Sequence, residues 1–180
     1  MNGNAGSGAN AASSAIMNIG YSTSWAVQLS FDWYNAGVWY RANENGTWNS
    51  WLKLLDETDR PEEYVAIACS GETTDLEVAT GVATFRAPYA MTITKVRASV
   101  ATAPTDANII VDINDSGNSI MTTNKLSIDA TEKTSVTATT AAGVTDTSIA
   151  DDAEITIDVD QIGSTIAGAG LKVVIYYTRT

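Results

Sequence analysis

Five tryptophans crowd into one short stretch of this chain: Trp25, Trp33, Trp39, Trp48 and Trp51. Flat aromatic faces at that density do one of two things. They fill the thin core or subunit interface of a small β unit, or they form a platform on which sugar rings stack. Trp39, Tyr40, Trp48 and Trp51 are the candidates for stacking a glycan. On a regular strand Trp48 and Trp51 have opposite parity, so at least one ring is expected to face away from the core, toward another subunit or a ligand. Carboxylates are the second candidate set. Asp112, Asn114 and Asp115 stand near Gly117 and resemble part of a calcium loop, but no Glu occupies the twelfth position, which leaves turn chemistry. Asp158 and Asp160 share one face of a strand. Like charges that close repel unless screened or neutralised, which fits a solvated face or a cation shared between subunits. A glycosidase needs two carboxyls ~5–9.5 Å apart across a sugar-sized cleft. With 21 Asp and Glu a chance pair carries no signal. The chain has no histidine, so the commonest general base, triad partner and zinc ligand is missing. Cys69, the single cysteine, lies in an apolar run and reads as an inert core thiol, with no disulfide framework or Cys-based metal cluster around it. The sequence reads as non-enzymatic, with no cofactor and no metal.

Composition bounds the rest. The chain has 180 residues, 44% of them hydrophobic, enough to build a core. The length fits one or two small domains. A net charge of −11 argues against a nucleic-acid partner, because only ten Lys and Arg are available. No apolar run approaches the ~18–20 residues a bilayer requires, so membrane insertion is not expected. The first residues lack the basic start and apolar core of a signal peptide. The charge is unevenly spread. Residues 64–100 balance, with Glu72, Asp75 and Glu77 against Arg86, Lys95 and Arg97, and the acidic excess falls in 56–63 and in the last eighty residues.

The elements that position these residues are strands. Residues 1–20 are rich in Asn, Gly, Ala and Ser, with little to bury, and read as a flexible tail or an anchor that orders against a neighbouring protein. Residues 21–63 read as a small antiparallel meander or arm. Trp25, Val27, Leu29 and Phe31 alternate onto one face of its first strand. Asn35-Ala36-Gly37 and Asn43-Glu44-Asn45-Gly46 supply turns, since Asn-Gly tolerates positive φ. Val38–Arg41 and Thr47–Leu54 are the other two strands. Three such strands are marginal alone and need a surface to pack against. From residue 64 to 180 β-type segments recur: 64–69, 76–86 broken at Gly81, 91–100, 109–114, 119–121, 126–129, a weak alternation over 132–139, Ile149, 154–160 and 171–177. In 91–100 the apolar set switches from Met91 and Ile93 to Val96, Ala98 and Val100, which predicts a bulge. Many short strands with little helical signal predict an all-β chain, the meander being followed by a jelly-roll β-sandwich.

Two segments resemble known families. Tyr40-Arg41 followed by Gly46-Thr47-Trp48, Ser50-Trp51 and Lys53-Leu54 is similar to the pyocin-knob-type repeat of bacteriophage and pyocin tail fibres. Residues 65–178 resemble a domain found at the ends of structural proteins of tailed phages. The resemblance lies in Phe85-Arg86-Ala87-Pro88, in Ala103 to Asn114, and in Asp158 to Ser164 with Gly168-Ala169-Gly170-Leu171-Lys172-Val173. Where similar proteins often carry Gly, this chain has Asp106. The resemblance implies a virion structural protein, tail-fibre-like, made in the host cytoplasm and assembled as a homotrimer. It would meet other virion proteins through its N-terminal segment and host-surface glycan without catalysis. The alternative it leaves open is a capsid decoration or head-fibre protein that stabilises the shell or aids adhesion. A free lectin fits the aromatics but not the resemblance.

Overall fold

The computed structural model describes residues 14–32, 37–54 and 61–180, and all its regular elements are β-strands. No helix among the described residues is long and apolar enough to cross a membrane. The chain divides into two compact units between Arg60 and Pro61.

The small unit is one antiparallel sheet. Its strands are β1 (Ser14–Ser22), β2 (Trp25–Asp32), β3 (Gly37–Glu44), β4 (Thr47–Trp48) and β5 (Leu52–Leu54), ordered β1-β2-β3-β4 with β5 also beside β3. Two sequence expectations are corrected here. The tail expected over residues 1–20 does not include 14–20, because Ser14–Ser22 pairs with β2 from Ser14↔Asp32 to Ser22↔Trp25, and residues 1–13 lie outside the described residues. Its Ile16, Met17 and Ile19 make it a strand once a partner edge is present. The single strand expected over 47–54 is interrupted at 49–51, so parity is not carried from Trp48 to Trp51. The Asn-Gly turn forms as expected. Asn45 (φ 51°) and Gly46 (φ 84°) close the hairpin between Glu44 and Thr47, matching the right-handed twist of the strands. In the other expected turn, Asn35 and Ala36 lie outside the described residues, and Gly37 opens β3.

The large unit carries two antiparallel sheets that share one apolar core. Its strands are β6 (Glu63–Ala68), β7 (Ala79–Arg86), β8 (Met91–Ser99), β9 (Ile109–Asp115), β10 (Asn118–Ser119), β11 (Leu126–Ile128), β12 (Ser148–Ile149), β13 (Glu154–Gln161) and β14 (Lys172–Arg179). One sheet runs β10-β9-β13-β7, with β11 also on β9; the other runs β12-β8-β14-β6. Alternation places Ile155, Ile157 and Val159 of β13 and Val173, Ile175 and Tyr177 of β14 in the core, with Ile109, Val111 and Ile113 of β9. The bulge expected in β8 is present: Tyr176 pairs with Lys95 and Tyr177 with Ile93, so Thr94 is the extra residue. Asp106 adopts φ 64°, the left-handed region that Gly enters most readily. The weak alternation over 132–139 does not become a strand. Thr139 donates from both its N and Oγ1 to the Asp129 carboxylate, at 2.8 and 2.7 Å, and this side-chain anchor holds the backbone in turns.

Candidate functional site

The four candidate aromatic residues do not share one face. Cross-strand register puts Trp39, Arg41, Asn43 and Trp48 on the same side of the small sheet, with Ser30 and Gln28 of β2 beside them. Trp51 joins that side by packing on Arg41. Tyr40 points to the opposite side. The expectation that Trp48 and Trp51 face apart is therefore corrected, and the break at 49–51 is the reason. Both rings clamp one guanidinium: the Arg41 centre lies 4.6 Å from the Trp48 ring and 4.5 Å from the Trp51 ring. Arg41 Nε also donates to Gln28 Oε1 at 2.7 Å. Burial pulls the guanidinium pKa down from its ordinary value. Trp51 is buried, whereas Trp39 and Trp48 are half-buried.

This face is polar as well as sheltered. Ser30, Asp32, Arg41 and Asn43 are all buried. Four buried side-chain atoms on it, Ser30 Oγ, Trp39 Nε1, Asn43 Oδ1 and Trp51 Nε1, have no hydrogen-bond partner among the described residues. Unmet buried donors and acceptors of this kind are where an ordered water binds.

The opposite face is apolar and open. Three cross-strand rows run over it. Ala15, Phe31, Val38 and Leu54 form the first; Met17, Leu29, Tyr40 and Leu52 the second; Ile19, Val27 and Ala42 the third. The alternation read in β2 holds, but the apolar set is the exposed one: Val27 is 40%, Phe31 42% and Trp25 51% accessible. No sequence signal names that inversion, because period-2 patterning separates two faces without saying which is inside.

In the large unit the carboxylate candidates are held by the chain itself. Asp158 Oδ1 accepts from Gly81 N at 2.6 Å and Oδ2 from Asn114 Nδ2 at 2.9 Å. Lys125 Nζ sits 2.6 Å from Asp160 Oδ2 and 2.6 Å from Asp112 Oδ2. Those hydrogen bonds, to Asp112 first and Asp160 next, raise the Lys125 pKa. The positive charge that this cluster requires is supplied by a lysine that spacing could not associate with it. Asp115 lies in the β9–β10 hairpin, where Ser116 and Gly117 take positive φ, so this segment is a turn as expected. No group of three or more potential metal-ligating side chains occurs among the described residues. Burial pushes the Cys69 thiol up to about 11, so it is a poor nucleophile.

Comparison with protein-family models, curated proteins and solved structures gives no match for this chain.

Proposed function

We propose that this chain is a non-catalytic structural protein of a bacteriophage virion, tail-fibre-like, that assembles as a homotrimer and contacts host-surface glycan. One observation carries the reading: charge and exposed apolar surface are segregated between the two units. Residues 14–54 contain Arg41 and Lys53 against Asp32 and Glu44 and sum to zero, whereas residues 61–180 contain seven basic and sixteen acidic side chains. A neutral aromatic unit suits attachment to other proteins, and an acidic unit suits an exposed head that resists non-specific sticking. We read the larger unit as a jelly roll and the smaller as a knob-like meander, in keeping with the motifs that resemble phage fibres.

Glycan contact would lie on the polar aromatic face, against the half-buried rings of Trp39 and Trp48. A glycan array probed with the full chain and with Trp48→Ala tests this part. Loss of the hits in the variant supports it, and an array without hits removes it. The virion assignment is tested by quantifying the protein in purified particles of the phage that encodes it. A few tens of copies supports the tail reading. Hundreds would move the protein to the capsid shell as a decoration or head fibre, and absence from particles would overturn both.

A further inference from the structure

We propose that the apolar face of the small sheet is the surface through which copies of this chain bind one another. The inference deepens the homomeric part of the reading above by naming the contact. The area is sufficient. Met17, Ile19, Phe31, Leu52 and Leu54 are between 42 and 58% exposed, and with the rest of the three rows they present roughly 800 Å² at ~150–250 Å² for each fully exposed aromatic and less for each aliphatic. A stable interface needs about 800 Å² from each partner, and a monomer's largest apolar patch rarely exceeds ~600 Å².

Charge selects the occupant. Where one face meets its own copy around a symmetry axis, like charges would be brought together; the three rows contain no charged side chain, and Glu44, at the hairpin end of the same face, lies beyond them. Contact through residues 61–180 would instead bring together two units whose formal charge is −9 each, seven basic against sixteen acidic residues. Residues 1–13 hold no large apolar side chain except Met1. Among the described residues of the large unit, the exposed large apolar side chains are Tyr64, Val78, Val136 and Ile166, spread over separate parts of its sequence. The sheet also has its polar, sheltered side on the opposite face, where Ser30 is fully buried and Asp32 nearly so. Desolvating the three rows against a second or third copy satisfies the apolar requirement without uncovering that side.

The experiment is light scattering on the full chain at micromolar concentration, combined with hydroxyl-radical footprinting of Met17. Expected are a mass two to three times 19.0 kDa and a Met17 that is protected at high concentration and reactive on dilution. Ile19→Lys and Leu52→Lys should each return the mass to 19.0 kDa with the near-ultraviolet signal of the tryptophans unchanged. A monomeric wild type overturns the proposal, whether Met17 is protected by its own chain or left free for a partner of different chemistry. So does an assembly in which Met17 stays reactive, or one that both folded variants retain. Should the variants fail to fold, Met17 protection in the wild type decides alone. A monomer would remove the homotrimer of the reading above as well, whereas an assembly in which Met17 stays reactive, or which both folded variants retain, overturns this contact alone; whether the protein is found in a virion is decided by neither.

Discussion

Removing the guanidinium from the tryptophan clamp should nearly unfold the small unit while leaving the large one intact. Arg41 lies about equally far from the Trp48 and Trp51 rings, at 4.6 and 4.5 Å, and donates to Gln28 at 2.7 Å. Each cation–π contact contributes about 0.5–1 kcal/mol at an exposed site and more when desolvated. A hydrogen bond from a charged donor adds about 1.5–3 kcal/mol. Arg41→Ala should therefore cost about 3–4 kcal/mol. A unit with about 40 described residues, at ~0.05–0.15 kcal/mol per residue, has only ~2–6 kcal/mol in total. The assay is urea denaturation followed by tryptophan fluorescence. All five tryptophans lie between residues 25 and 51, so emission reports on the small unit alone, while far-ultraviolet dichroism is dominated by the large one. Protein concentration must be held constant, since self-association would add to apparent stability. Arg41→Met keeps the aliphatic bulk without the charge and should recover less than half of the loss. If Arg41→Met is as stable as wild type, the clamp is packing rather than cation–π attraction, and the reasoning fails.

Three further outcomes are expected. Lys125→Met leaves the buried Asp112 carboxylate without its half-exposed cation and should destabilise the large unit by about 1–3 kcal/mol in calorimetry. Because the Lys125 pKa is raised, its stabilisation is complete below the ordinary lysine value of 10.5 and should fade as pH rises beyond it. Glu62 and Glu63 have pKa values lowered by hydrogen bonds, from Lys95 and Thr94 to the first and from Arg179 and Tyr89 to the second. Their contribution is present above the ordinary value of 4.5 and lost as pH falls through the lowered one, so Glu62→Gln with Glu63→Gln should flatten the acid limb of a melting-temperature profile. At Gly170 φ is 73°, and an added Cβ would stand 2.6 Å from Ala101 Cβ, so Gly170→Ala should cost about 2–4 kcal/mol in denaturant titration.

The strands of the large unit were legible because their cores alternate cleanly. Ile155, Ile157 and Val159 are buried while Thr156 and Asp158 are not, and the phase change after Ile93 marked the β8 bulge. β1 was not legible, since a segment reading Ser-Ala-Ile-Met-Asn-Ile-Gly becomes a strand through its edge pairing with β2 rather than through its own propensity. The Arg41 clamp was half legible. Composition flagged Trp48 and Trp51, but the three-residue break that turns both rings onto one cation leaves no period to detect. Lys125 was invisible for another reason: it is separated by 13 residues from Asp112 and by 35 from Asp160, and only the β9–β13 pairing and the loop before β11 bring the three together.

The inverted small sheet follows from these same limits. A hydrophobic alternation states that two faces differ, and in a monomer with one core the apolar face must be the inner one. Here the inner face is assembled from Arg41, Gln28, Asn43 and three indoles, whose rings supply apolar area while their side-chain nitrogens and amides remain polar. That arrangement releases Met17, Val27, Phe31 and Leu52 from any duty inside their own unit. An isolated five-stranded sheet with such a face in water would be marginal and prone to unspecific association. Such a face is tolerated when it is covered on assembly, and the absence of charge from all three rows leaves nothing in them to oppose a cover made by the chain's own copies.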